Sequence, residues 1–260
     1  MIGLRSILTA ITVTAGVALA GCASGPLAPE VAASLAPLRD ARIAVSYDLI
    51  NKELTSNETL YRVVYLTSNS AKQDFSGLWS ADEDMSGYFV DSLHAQSLHA
   101  ESVYALAPPA VIASANAVHT KKVVENIVDK NPEVFEAPAA GLKVLPLRPF
   151  FETWPADPEF AALADALQAK GVRYLLQLTA LNLQGVAPGY GMVVVRAFPN
   201  ARVLDLAQHR VLWTGYRVQS DLFQLGGDLK ALEINGMAKT KEGMANGAKK
   251  IDFASAWQLK

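Results

Sequence analysis

The sequence has 260 residues, of which 51% are apolar and 18% charged, with a formal net charge of −2 at pH 7. This composition is typical of a compact globular chain and excludes an intrinsically disordered one. No dense cluster of Lys or Arg is present, which argues against nucleic acid as a partner and against electrostatic binding to anionic lipid.

The first 21 residues have the layout of an export signal peptide. Arg5 supplies a positive charge, and an apolar run from Ile7 to Ala20 follows it. A helix needs roughly 20 apolar residues to cross a hydrocarbon core, and this run is shorter. The sequence therefore predicts a signal peptide over residues 1–21 and no permanent membrane span.

The signal ends in Leu19, Ala20, Gly21 and Cys22, which resembles the lipobox of bacterial lipoproteins, and Cys22 is the only cysteine. We expect cleavage between Gly21 and Cys22 and lipid on the Cys22 thiol, which leaves no disulfide. Two or more acyl chains are enough for stable anchoring. Ala23 stands where many lipoproteins retained at the inner membrane have aspartate, so we expect the periplasmic side of the outer membrane, with the inner membrane as the alternative.

Residues 22–40 are rich in Ala, Pro, Ser and Gly, and their prolines interrupt any long helix, which predicts a lipidated, flexible tether. The folded domain is then expected over residues 41–260. Its first strands are predicted over Arg42–Ile50 and Leu60–Thr67, separated by a polar segment. A helix is predicted over Asp82–Ser97, with Ser80 as its N-cap and Glu83 completing a capping box.

The middle of the chain alternates between strand and helix patterns. After the first helix we predict a strand over Glu101–Leu106 and a helix over Ala110–Val128. A proline-rich connection is predicted over Asn131–Ala156, with a short strand at Leu142–Leu147 inside it. The clearest helix is Asp157–Lys170, with Pro158 at its first position and Gly171 at its end.

The last third of the chain has strand patterns separated by turns. An apolar strand over Val172–Leu183 is followed by strands over Met192–Leu206 and Val211–Val218, and the chain from Asp228 onward predicts a helix. The predicted fold is α/β, with a single mixed sheet and flanking helices. A β-α-β-α unit is followed by an antiparallel meander and a C-terminal helix.

The stretch 171–218 resembles a group of envelope lipoproteins and periplasmic domains. The group includes curli-secretion-type lipoproteins, penicillin-binding-protein-activator lipoproteins and the amino-terminal domain of TolB. The resemblance lies in the strand GVRYLLQLTAL and in a strand pair that contains Val203, Asp205, Val211 and Trp213. It implies a non-enzymatic domain that assists an envelope complex through protein contacts.

No motif for a metal, a cofactor or a catalytic nucleophile is evident. His94 and His99 would lie about 140° apart on a helix, so they cannot face one metal ion. The chain lacks a G-x-S-x-G elbow and a second cysteine. The acids Asp82, Glu83 and Asp84 fit the first turn of a helix, where they interact favourably with its dipole. We expect no cofactor and no metal.

Four aromatic residues, Trp79, Phe150, Phe151 and Trp154, lie in segments next to Gly or Pro, where an aromatic side chain can anchor a partner. They are candidate partner contacts, and covering the sheet edge is their alternative role. The favoured function is a membrane-anchored, non-enzymatic binding or scaffolding subunit of an envelope complex.

Two alternatives remain open. An envelope hydrolase acting on peptidoglycan or glycans would need a pocket where carboxylates or histidines with perturbed pKa values converge. A carrier of an apolar ligand would need a continuous apolar cavity.

Overall fold

A computed structural model describes residues 27–62, 65–74, 77, 79–128, 148–181, 183–189, 192–196, 199–215, 223–226 and 229–260. The helices in these ranges are α1 (Pro29–Leu35), α2 (Ala81–Ala95), α3 (Val103–Leu106), α4 (Pro109–Val128), α5 (Arg148–Glu152), α6 (Pro158–Gln168), α7 (Leu229–Lys249) and α8 (Phe253–Ala256). Among the helices described here, none combines the length and the apolar character needed to cross a membrane.

The strands in the same ranges are β1 (Arg42–Leu49), β2 (Glu53–Arg62), β3 (Tyr65–Asp74), β4 (His99–Ser102), β5 (Tyr174–Ala180), β6 (Leu183–Gly189), β7 (Met192–Arg196), β8 (Asn200–Asp205), β9 (Arg210–Gly215) and β10 (Phe223–Gly226). The first sheet has the order β4-β1-β5-β8-β9. Strand β1 is parallel to β4 and β5, whereas β8 and β9 run antiparallel to their neighbours. The parallel strands are joined through helices, as parallel pairs require.

A second sheet, with the order β10-β7-β6-β2-β3, continues from the first. The parallel pair β1 and β5 leads directly into the parallel pair β2 and β6. Backbone N–H groups of Ile50 and Asn51 donate to the carbonyls of Ala180 and Leu181 at 2.9 Å, so the pairing persists across the junction. The predicted α/β class, with a mixed sheet, flanking helices and a C-terminal helix, is confirmed. The second sheet was not predicted from the sequence, which indicated a single sheet.

The first sheet is covered on both faces. Alternate residues of β1 such as Val45 and Tyr47 pack with Phe89 of α2 and Phe253 of α8, all fully or almost fully buried. The intervening residues face a second layer that contains α3, α4 and α6. Burial on both faces explains why β1 and β5 are apolar along most of their length.

Helix α6 ends as the sequence predicts. Gly171 has a φ of 76°, a conformation that glycine adopts at little cost. The N–H of Val172 donates to the carbonyl of Leu167 at 3.1 Å, which satisfies one of the last carbonyls of the helix. The chain then turns directly into β5.

The boundary between tether and domain differs from the prediction. Residues 29–39, predicted as part of the tether, form α1 and a 3₁₀ turn over Ala36–Arg39. Leu35 and Leu38 are fully buried in the core. Pro29 and Pro37 lie at the first positions of these helical segments, where the missing N–H of proline is not needed. The domain therefore begins at Pro29 or earlier, not at residue 41.

Several predicted strands have other boundaries. The polar segment before Leu60 belongs to β2, which pairs with β3 as an antiparallel hairpin. The strand predicted over Glu101–Leu106 ends at Ser102, whose hydroxyl oxygen accepts the N–H of Tyr104 and begins α3. The strand predicted over Met192–Leu206 is two strands, β7 and β8, in different sheets. The strand predicted over Leu142–Leu147 lies outside the described residues.

Candidate functional site

The face of the first sheet that packs against α3, α4 and α6 is polar at one end, although this end is buried. Asp48 of β1 pairs directly with Thr179 of β5, and Gln177 of β5 pairs with Arg202 of β8. None of these four side chains is more than 5% exposed. They lie where the parallel strands β1 and β5 end, and α/β proteins commonly bind ligands outside the carboxyl ends of parallel strands.

Asp48 is the buried carboxylate of this group. The hydroxyl of Thr120, on α4, donates to its two oxygens at 3.1 and 3.3 Å. Burial, together with the nearby carboxylate of Asp82, raises the pKa of Asp48 to about 7, against the lowering effects of Lys52 and Thr120. A pKa raised in this way favours the protonated, neutral form of Asp48 in the folded chain relative to an exposed carboxyl.

His119, also on α4, is buried beside it. Its Nε2 is hydrogen-bonded to the hydroxyl of Thr179 at 2.8 Å and lies 3.9 Å from a carboxylate oxygen of Asp48. Burial lowers the pKa of His119 well below its ordinary value, and the positive charge of Arg202 lowers it further. His119 is therefore neutral at pH 7, and its contact with Asp48 is not an ion pair.

The arrangement of His119, Asp48 and Thr179 is not that of a catalytic triad. In a triad the nucleophile and the carboxylate contact opposite nitrogens of the imidazole ring. Here the Thr179 hydroxyl and the Asp48 carboxylate both approach Nε2. Thr179 is also only 1% exposed, so its hydroxyl has almost no surface that a substrate could contact.

Arg202 connects this polar group to α5. Its Nε donates to the side-chain carbonyl of Gln177 at 2.8 Å, and its Nη1 donates to the backbone carbonyl of Thr153 at 3.0 Å. The guanidinium carbon lies 5.5 Å from the ring centroids of both Phe150 and Phe151. Hydrogen bonds and cation–π contacts thus hold the buried cation against the end of α5.

Trp154 forms the next wall of the site. Its ring stacks on His209 with centroids 5.2 Å apart and meets the ring of Phe160 edge-on at 5.3 Å. Trp154 and Phe150 are both half-buried. Ring contacts on two sides restrict Trp154 while part of its surface remains accessible.

A cavity of about 230 Å³ lies between α4, α5, α6 and β8. Its walls include three aromatic rings and three charged side chains, those of Phe150, Trp154, Phe160, Lys122, Asp157 and Arg202. The ammonium of Lys122 lies 2.5 Å from the carboxylate of Asp157. Asp157 is the N-cap residue of α6, but its side chain makes this ion pair and no capping hydrogen bond.

The four predicted contact residues are not equivalent. Phe150 and Trp154 line the cavity, whereas Phe151 is fully buried against the ring of Phe150. Trp79 lies elsewhere, in the core, only 4% exposed, and its Nε1 donates to Asp84 at 2.7 Å. A partner contact stays a prediction, and burial leaves Trp79 and Phe151 little surface for it.

The lipidation and cleavage sites, Cys22 and Gly21, lie outside the described residues. The resemblance positions Asp205 and Trp213 are described, and both serve the fold. Burial works to raise the pKa of Asp205, but hydrogen bonds from Arg173 and from two turn N–H groups outweigh it and hold the pKa below its ordinary value. Trp213 pairs with Val203 and contacts the ring of Trp257 edge-on at 6.0 Å.

The acids at the start of α2 also have local partners. Ser80 is the N-cap as predicted, but its hydroxyl donates to the Glu83 carboxylate at 3.3 Å and its side chain makes no cap hydrogen bond. Asp82 accepts the N–H of Leu49 at 2.9 Å and pairs with Lys52. Across the described ranges, no three His, Cys, Asp or Glu side chains converge as metal ligands would.

Asp48, His119 and Arg202 were not predicted as site residues from the sequence. A signal for two of them exists, because Asp48 and Arg202 are charged residues next to apolar residues within segments predicted as strands. A charge inside a buried strand must find a partner, which marks it as part of a network. His119 had no comparable signal, because its helix is amphipathic with many small residues.

No known family model matches the sequence, and no curated protein is detectably similar to it. Among similar solved structures, protein XCC0632 from Xanthomonas campestris, of the DUF330 family, is 8% identical with a TM-score of 0.35, covering 84% of this chain and 83% of that one. Lipoprotein GNA1162 from Neisseria meningitidis is 14% identical with a TM-score of 0.28, covering 78% of this chain and 96% of that one. Both TM-scores are below 0.5, so the functional argument rests on this chain's own residues.

Proposed function

We propose that this chain is an envelope lipoprotein that acts as a non-enzymatic binding or scaffolding subunit of an envelope complex. Lipid on Cys22 holds it in the membrane, on the periplasmic side of the outer membrane. The anchor is supported by the lipobox and by the short apolar run before it.

The observation that carries the binding role is the aromatic-walled cavity beside Phe150 and Trp154. Half-buried aromatic side chains held by neighbouring rings can bury more surface on binding with little loss of side-chain entropy. Most small-molecule sites measure about 300–1,000 Å³, and this cavity of about 230 Å³ is smaller. Its size favours a side chain from a partner protein over a large apolar ligand carried whole.

The buried polar group behind the cavity favours binding over hydrolysis. Asp48 and Thr179 meet the same nitrogen of His119, and neither lines the cavity. A hydrolase would need a nucleophile or an acid–base pair within hydrogen-bond distance of the substrate. Here His119 lines the cavity from α4, whereas its partner Asp48 lies behind the lining, and the contact between the two joins α4 to the sheet.

The experiment that tests this function is site-specific photocrosslinking in intact cells. A benzophenone amino acid replaces Trp154 at the cavity, and in a second strain it replaces Ala161, which is exposed on α6. We expect a covalent adduct with an envelope protein from position 154 and none from position 161. Monomer alone from position 154, with a lipidated and folded chain, would contradict the proposal.

A further inference from the structure

We propose that the cavity between α4, α5, α6 and β8 binds the carboxyl-terminal residue of a partner protein, an apolar side chain together with its terminal carboxylate. This inference rests on the proposed binding function and names the chemistry that the partner presents. It is carried by the charge of the cavity lining and by the nature of its walls.

The cavity lining has an excess of positive charge. Of the lining residues, Lys122 and Arg202 are cationic, Asp157 is anionic and His119 is neutral because of its burial. Because Lys122 pairs with Asp157, the net charge of +1 on the lining is that of Arg202, and it is complementary to an occupant with one negative charge. A planar guanidinium and an ammonium are the donors that proteins use most for carboxylates.

The walls are complementary to an apolar body. Phe150, Trp154 and Phe160 contribute rings, and Ala115 and Val118 contribute small aliphatic groups. Another aromatic or aliphatic side chain would pack against these rings and be removed from water. An internal Glu or Asp side chain would supply the charge but no apolar body to fill the remaining volume.

A chain terminus combines both features within one residue. The terminal carboxylate is separated from the side chain by a single carbon, which matches a cavity whose charged and aromatic walls enclose only about 230 Å³. Capture of a carboxyl-terminal carboxylate is a recurring mode of peptide recognition by proteins.

The test is calorimetric titration of the full mature chain in detergent with three probes. These are the tripeptide Gly-Gly-Phe as the free acid, the same peptide as its carboxyl-terminal amide, and free 3-phenylpropanoate. We expect the free acid to bind at least tenfold more tightly than the amide and more tightly than 3-phenylpropanoate. Equal binding of acid and amide, or no binding of the acid, overturns the inference. Tighter binding of 3-phenylpropanoate overturns the assignment to a protein terminus.

Two pairs of variants connect the binding to the cavity. Lys122→Gln removes a lining charge, whereas Lys121→Gln removes the charge of the exposed neighbour on the same helix. We expect Lys122→Gln to weaken binding of the free acid several-fold without affecting binding of the amide. We expect Lys121→Gln to change neither affinity. Unchanged affinity of the acid for Lys122→Gln would overturn the inference.

The second pair of variants introduces a tryptophan either in the cavity lining or away from it. Ala156 lines the cavity and Ala161 does not, although both are exposed. Ala156→Trp should abolish binding of the free acid, whereas Ala161→Trp should retain it. Thermal unfolding of each variant shows that it is folded before titration. Retained binding in folded Ala156→Trp would overturn the inference.

Failure of this inference is distinguishable from failure of the proposed function. A crosslink from position 154 without binding of the free acid overturns the terminal-carboxylate proposal and leaves the partner-binding role intact. Binding of the free acid without a crosslink supports the cavity chemistry and contradicts the envelope complex.

Discussion

The raised pKa of Asp48 predicts how the folding stability depends on pH. Burial raises its pKa from an ordinary value of 3.8 to about 7. Between these two values the folded state holds a proton that the unfolded state has lost. The free energy of unfolding therefore falls as pH rises from about 4 to about 7, and this effect levels off above pH 7. Three pH units correspond to about 4 kcal/mol, an upper estimate for this group.

Asp48→Asn removes the ionisable group and keeps the shape of the side chain. Its amide oxygen can still accept the hydrogen bond that Thr120 donates to Asp48. We expect the variant to have a free energy of unfolding up to about 4 kcal/mol higher than the wild-type chain at pH 8. At pH 4, where the wild-type carboxyl is protonated when folded, we expect the difference to vanish.

The assay is urea unfolding followed by circular dichroism at pH 4, 6 and 8. Asp165→Asn is the matched control, because Asp165 is exposed on α6 and its loss should leave the wild-type decline in place. A less stable Asp48→Asn at pH 8 would refute the reasoning. So would an unchanged decline between pH 4 and pH 7 in this variant.

Three further pairs of substitutions test packing, the domain boundary and the anchor. A Cβ on Gly215 would lie 2.3 Å from the Trp213 ring, whereas one on Gly87 of α2 would meet nothing within 4 Å. In thermal unfolding, Gly215→Ala should therefore lower the free energy of unfolding by about 1–3 kcal/mol, and Gly87→Ala should raise it by about 0.5–1 kcal/mol. Equal effects of the two substitutions would contradict this. Leu35 is fully buried, so Leu35→Ala should cost about 2–5 kcal/mol, while Ala33→Ser at an exposed position should change stability by less than about 0.5 kcal/mol. Cys22→Ala should abolish labelling with radioactive palmitate, and Ala23→Asp should move the protein to the inner membrane in density-gradient fractions. Labelled Cys22→Ala would refute the lipidation site, and Ala23→Asp left in the outer membrane would refute the sorting argument.

Local patterns predicted the four longest helices, α2, α4, α6 and α7, and the central strands β1 and β5. Pro158 and Gly171 bound α6, and the apolar run after it forms β5. These signals depend on residues a few positions apart, which the sequence displays directly. The same local logic misjudged Pro29, because a proline that breaks one helix is well suited to begin another.

The site was predicted only in part. Phe150 and Trp154 were selected because of their flanking residues, and both line the cavity. Arg202 and His119 come from a distant strand and a distant helix, and no local pattern connects them. Both contact Phe150, and this placement depends on the antiparallel pairing of β5 with β8 and on the position of α4 over the sheet.

The sequence by itself determined the expected export signal, the single cysteine available for lipid and the order of most secondary-structure elements. Each of these depends on neighbouring residues and on composition. Only the tertiary structure decided that the parallel pair of β1 and β5 continues into the parallel pair of β2 and β6 in a second sheet, and that Leu35 belongs to the core. It also decided that Asp48 and His119 are buried together, which changes the pKa of each. The reason is that strand pairing and burial depend on groups far apart in the chain, and folding alone brings them into contact.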